Sequence, residues 1–507
     1  MAQGIVQEYK DAPPTFTYST TIEDELKESG PEKPKGYRVS WHHNPDVEKY
    51  HFGQLHPMKV WRLTLTKSLV MGYKMHHAMD LYSPRAATKE EIARFHKEDY
   101  VEFLSIATPK NIVEMYPELA QPTGYSSSVY GVGDDCPIFD GLFEYCSFYA
   151  GASVDAATKL VNNQSDIALN WTGGLHHAKK GEASGFCYVN DIVLAILELL
   201  RYHPRVLYID IDVHHGDGVE SAFWSTDRVF CVSFHKYDKE VFFPGTGPLD
   251  STGPLHPENP GRNHTINVPL NDGITDTDYA YLFDTVIGAV TRHYDPSAIV
   301  LQCGADSLGH DRLGCFNLNI KGHGHCVQWC TDYCTKFKKP LLVLGGGGYT
   351  PRNVARAWAH ETSITIGAAD YIDPNLPEDM PHREAFRREG MTLFPNLGGW
   401  KGQNLNTKAD IDKIVKSVHE QMRYIRGAPS VQMNYIPREL NQWREEAEKE
   451  HQNRRTEREE RLEEKDGAGG LFAQKSRRRE LERNGLTRGN IGNMKTNEFM
   501  TGVVGAG

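Results

Sequence analysis

Residues 206–218 combine an apolar stretch with an unusual density of groups that bind metals or transfer protons. The apolar run 206–211 predicts a buried strand. Five ionisable residues lie within eight positions there: Asp210, Asp212, His214, His215 and Asp217. Such groups at the end of a buried strand are costly unless a partner compensates them, and a divalent metal ion would do so. A solvated polar turn explains one Asp-x-His pair but not five such groups, so we favour a metal site.

The alternation of side chains along a strand divides these residues. Residues two apart in an extended segment share a face, so Asp210, Asp212 and His214 are expected to point the same way. His215 points to the other face and is predicted to be structural rather than a ligand.

Two adjacent histidines, His176 and His177, follow a Gly-Gly pair. Neighbouring residues cannot share a strand face, so the backbone must bend if both serve one site. Taken alone they are more simply two polar loop residues. The spare carboxylates of residues 206–218 favour His–Asp pairs, which fix the tautomer and raise the basicity of an imidazole.

Two further groups follow apolar runs. Asp306 comes just after 298–302, and Tyr349 comes after 341–344 and four consecutive glycines. Glycines let backbone approach closely, but the P-loop Lys-Ser/Thr that would make this loop a phosphate cradle is absent from the sequence. Tyr349 alone is as well explained by packing.

The elements that must position these groups alternate between strands and helices, which predicts an α/β fold with a mostly parallel sheet flanked by helices. Active sites of such folds form at the carboxyl ends of the strands, where all these residues fall. Strands are predicted at 166–170, 206–211, 229–234, 264–270, 298–302 and 341–344, and helices at 59–77, 89–104, 142–162, 185–202, 276–294 and 411–424.

The constellation suggests amide hydrolysis. Asp212, His214 and Asp306 would leave a metal position open for water and substrate, a His–Asp pair would transfer the proton, and a tyrosine hydroxyl would donate to the developing oxyanion. Zinc suits this set, and Asp-rich ligation also suits Fe²⁺ or Mn²⁺.

Composition bounds the remaining choices. The 507 residues are 39% hydrophobic and 24% charged with a net charge of -11, which argues against affinity of the whole protein for DNA phosphates. No direct sequence-specific DNA binding is expected. The 9 cysteines form no CxxC pair, and neither a secretory signal nor a membrane-spanning run is evident. We predict a flexible extension at 1–36, a catalytic domain at 37–437 and a charged, largely disordered tail at 438–507. A basic patch at 475–479 suggests nuclear import.

Five motifs resemble those of the zinc-dependent class I histone deacetylases, with an arginase/deacetylase fold over about 37–437. They are GGLHHAKK at 173–180, EASGFCYVND at 182–191, YIDIDVHHGDGVE at 208–220, QCGADSLG at 302–309 and GGGGYT at 345–350. Within class I the chain is most similar to the corepressor-complex branch and its fungal relatives.

The resemblance assigns roles residue by residue. It implies that Asp212, His214 and Asp306 hold zinc. His177, oriented by Asp217, would be the general base and acid, and His176, paired with Asp210, its electrostatic partner. Tyr349 would stabilise the oxyanion. The substrate-binding residues would be the tunnel residues Gly185, Phe186, Phe243 and Leu313 and the backbone clamp Asp135.

The resemblance also implies ions and an effector. One potassium ion would use Asp210, Asp212, His214, Ser233 and Phe234, and a second would lie around Phe223, Thr226 and Val229. An inositol phosphate would meet His51, Lys59, Arg312 and Arg352. The family usually has Gly where this chain has Leu55, whose side chain would crowd that ligand, so the resemblance there is incomplete.

The implied protein is a nuclear enzyme, present also in the cytoplasm, that removes acetyl groups from histone tails and other proteins as a corepressor-complex subunit in transcriptional regulation. Three rivals remain: an acetylpolyamine deacetylase, a catalytically weak scaffold that binds corepressor subunits, and a binuclear manganese enzyme like arginase. The tunnel residues and Tyr349 disfavour the last.

Overall fold

A computed structural model describes residues 30–115, 129–399, 401–425 and 449. Most of the predicted N-terminal extension, nearly all of the predicted tail and the basic patch 475–479 lie outside these residues. The described part of the catalytic domain belongs to one compact unit, Met1–Asn434.

Eight strands form one sheet in the order β2-β1-β3-β8-β7-β4-β5-β6, and every pairing between them is parallel. This confirms the predicted α/β architecture of the arginase/deacetylase type. The strands are β1 (Val39–His42), β2 (Asp80–Tyr82), β3 (Ile167–Asn170), β4 (Val206–Asp210), β5 (Val229–Lys236), β6 (Thr265–Leu270), β7 (Ala298–Gln302) and β8 (Leu341–Leu344).

Helices cover both faces of the sheet because both faces of its central strands are apolar. In β4, Leu207 and Ile209 join one core cluster, and Val206 and Tyr208 join the other. The α-helices are α1 (Trp61–Gly72), α2 (Lys89–Ile92), α3 (Glu98–Ile106), α4 (Ile112–Met115), α5 (Leu142–Val161), α6 (Asp191–Leu199), α7 (Asp217–Phe223), α8 (Asp276–Tyr294), α9 (Ile320–Phe337), α10 (Pro351–Thr365) and α11 (Lys408–Met422). Residues of α6, α7 and the second half of α5 pack on one face, and residues of α1, α8, α9, α10 and α11 on the other.

Two predicted helices are divided in the structure. The helix expected at 59–77 ends at Gly72, because Lys74 adopts the left-handed conformation (φ 56°) before a short 3₁₀ turn. The helix expected at 89–104 is two helices, α2 and α3, and a Thr88 capping box starts the first. The edge strand β2 and its neighbour β1 were not predicted.

The topology brings four chain segments together. Strands β3, β8, β7 and β4 are consecutive neighbours in the sheet. Since all four run parallel, the loops after them meet at one edge, and these loops carry the residues singled out above. None of the described helices is long and apolar enough to span a bilayer.

Candidate active site

Three potential metal ligands converge at this edge. Asp212, His214 and Asp306 are buried, and one ligand atom from each lies within 4.8 Å of the others. His214 Nδ1 lies 3.1 Å from a carboxylate oxygen of Asp212 and 3.1 Å from one of Asp306. Burial and the neighbouring Asp212 carboxylate raise the pKa of Asp306, so the pair needs a compensating positive charge. Two carboxylates and an imidazole around a shared point fit a zinc ion.

Backbone packs tightly around the two carboxylates. A Cβ atom on Gly304 would lie 2.0 Å from Asp212 Oδ2, and one on Gly347 would lie 2.1 Å from Asp306 Oδ2. Gln302 donates to Asp212 Oδ2 at 2.9 Å, and so does the Gly347 amide at 2.8 Å. The Val213 amide donates to Asp306 Oδ1 at 2.9 Å, so hydrogen bonds orient both carboxylates.

Strand β4 ends at Asp210, one residue earlier than the sequence suggested, but Asp212 and His214 still contribute to the same group of potential ligands, as expected. Asp210 accepts hydrogen bonds from Tyr208 OH at 2.5 Å and from the Asp212 amide at 3.1 Å, and it contacts His176 Nδ1 at 2.7 Å. His215 does point away, as expected, with contacts of 2.8 Å to Thr246 and to Glu220.

The two histidines form separate His–Asp pairs. His176 Nδ1 lies 2.7 Å from Asp210, and His177 Nδ1 lies 2.8 Å from Asp217. Their rings are 3.9 Å apart between centroids. Since a carboxylate only accepts, each Nδ1 carries a proton, and the free nitrogen of His177 is Nε2, an acceptor when the ring is neutral.

The environments of these two imidazoles push their pKa values apart. Burial lowers the pKa of His176, but the carboxylates of Asp210 and Asp212 outweigh it and raise the value to about 9. Burial and the adjacent His176 lower the pKa of His177 to about 3 despite Asp217. The pKa values of the two imidazoles thus shift in opposite directions, which separates the roles the two rings can take.

The glycine loop after β8 aims Tyr349 at the same region. The Tyr349 amide donates to Asp311 Oδ2 at 2.7 Å. Asp311 is buried and also accepts from the amides of Leu313 and Gly314. This role of Asp311 could not be predicted, because an aspartate among glycines is typical of a turn.

Arg62 holds the same loop from the other side. Its guanidinium donates to the carbonyl oxygens of Gly346 and Gly348 and lies 5.0 Å from the ring centroid of Trp358. Arg62 is buried, so its guanidinium serves this loop rather than the solvent-exposed surface of α1.

Two phenylalanine rings contact these groups. Phe186 lies 5.6 Å from Tyr349, and Phe243 lies 4.9 Å from His177, between ring centroids. The backbone of Gly185 lies close to Phe243, since a Cβ atom on this glycine would lie 2.9 Å from the Phe243 ring. Phe242 stacks on His214 at 5.1 Å, a contact that sequence reasoning missed. Leu313 packs half-buried against the core, and Asp135 is exposed.

The residues expected around potassium lie at the adjacent strands. Asp210 of β4 is directly paired with Ser233 of β5, and Phe234 follows in the same strand. At the second position the Phe223 carbonyl accepts a hydrogen bond from the Thr226 amide at 3.2 Å, and Val229 begins β5.

Of the residues expected around an inositol phosphate, two already have partners within the protein and two are exposed. Lys59 Nζ donates to the carbonyl oxygens of Gly53 and Gln54, and Arg352 pairs with Glu389. His51, Arg312 and Leu55 are exposed.

The fold is of the arginase/deacetylase type, and the site contains a candidate metal centre at the carboxyl ends of its strands. Comparison with known proteins narrows this class. A model of the histone deacetylase domain matches residues 56–365. The chain therefore belongs to the histone deacetylase family, as a class I member, and is a hydrolase that removes acetyl groups from lysine.

Similar proteins come from distant organisms. Histone deacetylase 9 of Arabidopsis thaliana is 50% identical over 401 residues, covering 79% of this chain and 88% of the relative. Histone deacetylase B of Dictyostelium discoideum is 49% identical over 407 residues, covering 80% and 91%. Histone deacetylase 1 of Homo sapiens is 47% identical over 400 residues, covering 79% and 78%.

Proposed function

We propose that this chain is a zinc-dependent deacetylase that hydrolyses N6-acetyl-lysine in histone tails and other proteins to lysine and acetate. The observation that carries the proposal is the convergence of the Asp212–His214–Asp306 group, two His–Asp pairs and Tyr349 at adjacent strand ends.

The chain would position the substrate before any bond changes. Asp135 would accept a hydrogen bond from the substrate backbone, and Gly185, Phe186, Phe243 and Leu313 would enclose the aliphatic part of the acetyl-lysine. Asp212, His214 and Asp306 would hold the zinc ion, which when bound polarises the acetyl carbonyl and makes water more acidic.

Proton transfer would run through His177. Its Nε2 would accept a proton from the attacking water, while Asp217 keeps the proton on Nδ1. The same Nε2–H would then be donated to the lysine nitrogen as the amide bond breaks. His176, whose pKa is raised by Asp210 and Asp212, and the hydroxyl of Tyr349 would stabilise the negative charge that develops on the acetyl oxygen.

The proposal includes potassium near the zinc, bound by Asp210, Asp212 and His214 with backbone oxygens of Ser233 and Phe234. A second potassium ion would lie at Phe223, Thr226 and Val229. An inositol phosphate is the least supported ligand, because it would compete with Glu389 for Arg352 and meet Leu55 at the same surface.

The biological setting is proposed from the family and the resemblance. We place the enzyme in the nucleus, and also in the cytoplasm, as a subunit of a corepressor complex acting in transcriptional repression. We retain a catalytic domain at 37–437 with a charged tail at 438–507.

Two variants test the mechanism. Tyr349→Phe and His177→Ala should each lower deacetylation of an acetylated histone peptide at least about 100-fold, with zinc content unchanged. Tyr371→Phe and His419→Ala alter exposed residues of the same types and should leave the rate unchanged. Full activity in Tyr349→Phe or His177→Ala would overturn the mechanism.

The same assay separates the rival functions. We expect acetylated histone peptides to be turned over in preference to acetylpolyamines, with or without a corepressor fragment and inositol phosphate. Preference for the polyamine would favour a small-molecule amidohydrolase. Binding of the corepressor fragment without metal-dependent turnover would favour a scaffold.

A further inference from the structure

His56 contacts both Asp135 and Phe186, two of the residues proposed to bind the substrate. It lies in the loop before α1 and is 9% exposed. Its Nδ1 accepts a hydrogen bond from the Met58 amide at 3.1 Å, and its Nε2 lies 3.2 Å from the carbonyl oxygen of Asp135. Since Nδ1 accepts, the proton is on Nε2, and His56 donates to Asp135.

The neutral form of His56 is the one that makes both bonds. Burial lowers its pKa, and the charged groups that face it are Asp135, which raises the pKa, and Lys59, which lowers it. If Nδ1 were protonated, its N–H would face the Met58 N–H, and the hydrogen bond between them would be lost.

The ring of His56 also supports the aromatic wall. It meets Phe186 edge-to-face with centroids 4.6 Å apart and packs against Phe52 at 5.1 Å. Phe186 has a φ of 68°, which is costly for a bulky residue and persists only where the surroundings hold it. His56 lies against one side of that ring, and Tyr349 lies near it at 5.6 Å.

We propose that His56 is a positioning residue that sets the Asp135 backbone relative to Phe186, and thereby determines how strongly the enzyme recognises a peptide backbone. This rests on the proposed function, in which the Asp135 carboxylate accepts from a substrate N–H. His56 acts through Asp135 and does not touch the reacting atoms, so it governs peptide binding more than the chemical step.

Two variants divide the contacts of His56. His56→Phe keeps a ring against Phe186 but cannot donate to Asp135, whereas His56→Gln keeps a donor but loses the ring. Gln54→Ala is the matched control, because Gln54 is an exposed residue of the same loop. Each protein is assayed with an acetyl-lysine peptide and with the same peptide methylated on the backbone nitrogen of the acetyl-lysine. The methyl group replaces the N–H that would donate to the Asp135 carboxylate.

For the unmethylated peptide, we expect His56→Phe to raise KM about fivefold with kcat within about twofold of wild type. For the methylated peptide, His56→Phe and wild type should have the same KM. His56→Gln and Gln54→Ala should retain the wild-type preference for the unmethylated peptide.

An equal loss with both peptides, or no change with either, would overturn the role of His56 while leaving the deacetylase intact. Failure of the wild-type protein to deacetylate either peptide would instead overturn the proposed function and the role of His56 with it. Thermal unfolding and zinc content of each variant separate these outcomes from misfolding.

Discussion

Arg62, buried at the start of α1, donates a hydrogen bond of 2.9 Å to the carbonyl oxygen of Gly348, the residue before Tyr349. A second bond, of 2.6 Å, reaches Gly346. Replacing Arg62 by Leu would leave two carbonyl oxygens without their charged donor, and such bonds are worth about 1.5–3 kcal/mol each. We expect kcat to fall about tenfold or more, with a smaller change in KM, measured by steady-state kinetics.

Arg85→Leu is the control for that variant, because Arg85 is an exposed arginine paired with Glu91. It should leave kcat unchanged. An unaltered kcat in a folded Arg62→Leu protein would show that the loop holds Tyr349 without the arginine.

The hydrogen bond between His177 Nδ1 and Asp217 predicts a second effect. Burial raises the pKa of Asp217, but His177 and Lys179 outweigh it and hold the pKa well below its usual value, so Asp217 is ionised. Asp217→Asn would offer a donor as well as an acceptor, and the proton would no longer be confined to Nδ1. We expect kcat to fall at least about 100-fold, measured with zinc content and thermal unfolding alongside.

Lys179→Met gives the comparison, since Lys179 contacts the same carboxylate without touching the imidazole. Its kcat should fall less than about tenfold. Equal losses in the two variants would indicate that overall charge, rather than the tautomer of His177, is responsible.

The central strands and the groups at their ends could be predicted because a short apolar run followed by polar residues indicates both. Ala298–Gln302 and Leu341–Leu344 match the predicted strands to the residue. Parallel pairing then brings the following residues, Asp306 and Tyr349, to one edge whatever the loops between them do. The edge strand Asp80–Tyr82 has only three residues and carries no comparable pattern.

The supporting contacts could not be predicted, because they depend on pairs far apart in the chain. Arg62 lies 284 positions from Gly346, and a basic residue at a helix start is ordinarily at the surface. Asp311 and His56 likewise show their partners only once the loops are folded. The helix predicted at 59–77 was too long, because helix propensity does not indicate that Lys74 adopts a left-handed conformation.

Metal removal should affect stability as well as activity. Asp212 and Asp306 are both fully buried, and their mutual repulsion raises the pKa of Asp306, so a metal ion bound between them should be stabilising. Chelation should abolish turnover and lower Tm by several degrees, and zinc should restore both. The control Asp412→Asn, at an exposed carboxylate, should respond to chelation and zinc as wild type does.

Asp306→Asn sharpens this test because it removes one of the repelling charges together with a ligand. Its Tm without metal should equal or exceed that of metal-free wild type, and zinc should raise it little. If chelation left the Tm of the wild-type protein unchanged, the prediction that the bound metal stabilises the folded protein would be wrong.

Glu48 predicts a pH dependence of stability outside the active site. Burial raises its pKa, but hydrogen bonds from His43, Lys67 and Thr64 outweigh it and lower the pKa to about 2. Its contribution is therefore complete above the unfolded-state pKa, about 4.3, and is lost as pH falls toward 2. Glu48→Gln should lower the free energy of unfolding by about 2 kcal/mol at pH 7.

Urea unfolding at pH 7, 5, 4 and 3 measures this difference. The gap between wild type and Glu48→Gln should stay constant from pH 7 to 5 and shrink at pH 4 and 3, because the wild-type protein loses the ionised form that the three donors stabilise. Glu384→Gln, at an exposed glutamate, should show little gap at any pH. A gap that persists unchanged at pH 3 would mean that Glu48 acts through packing rather than charge.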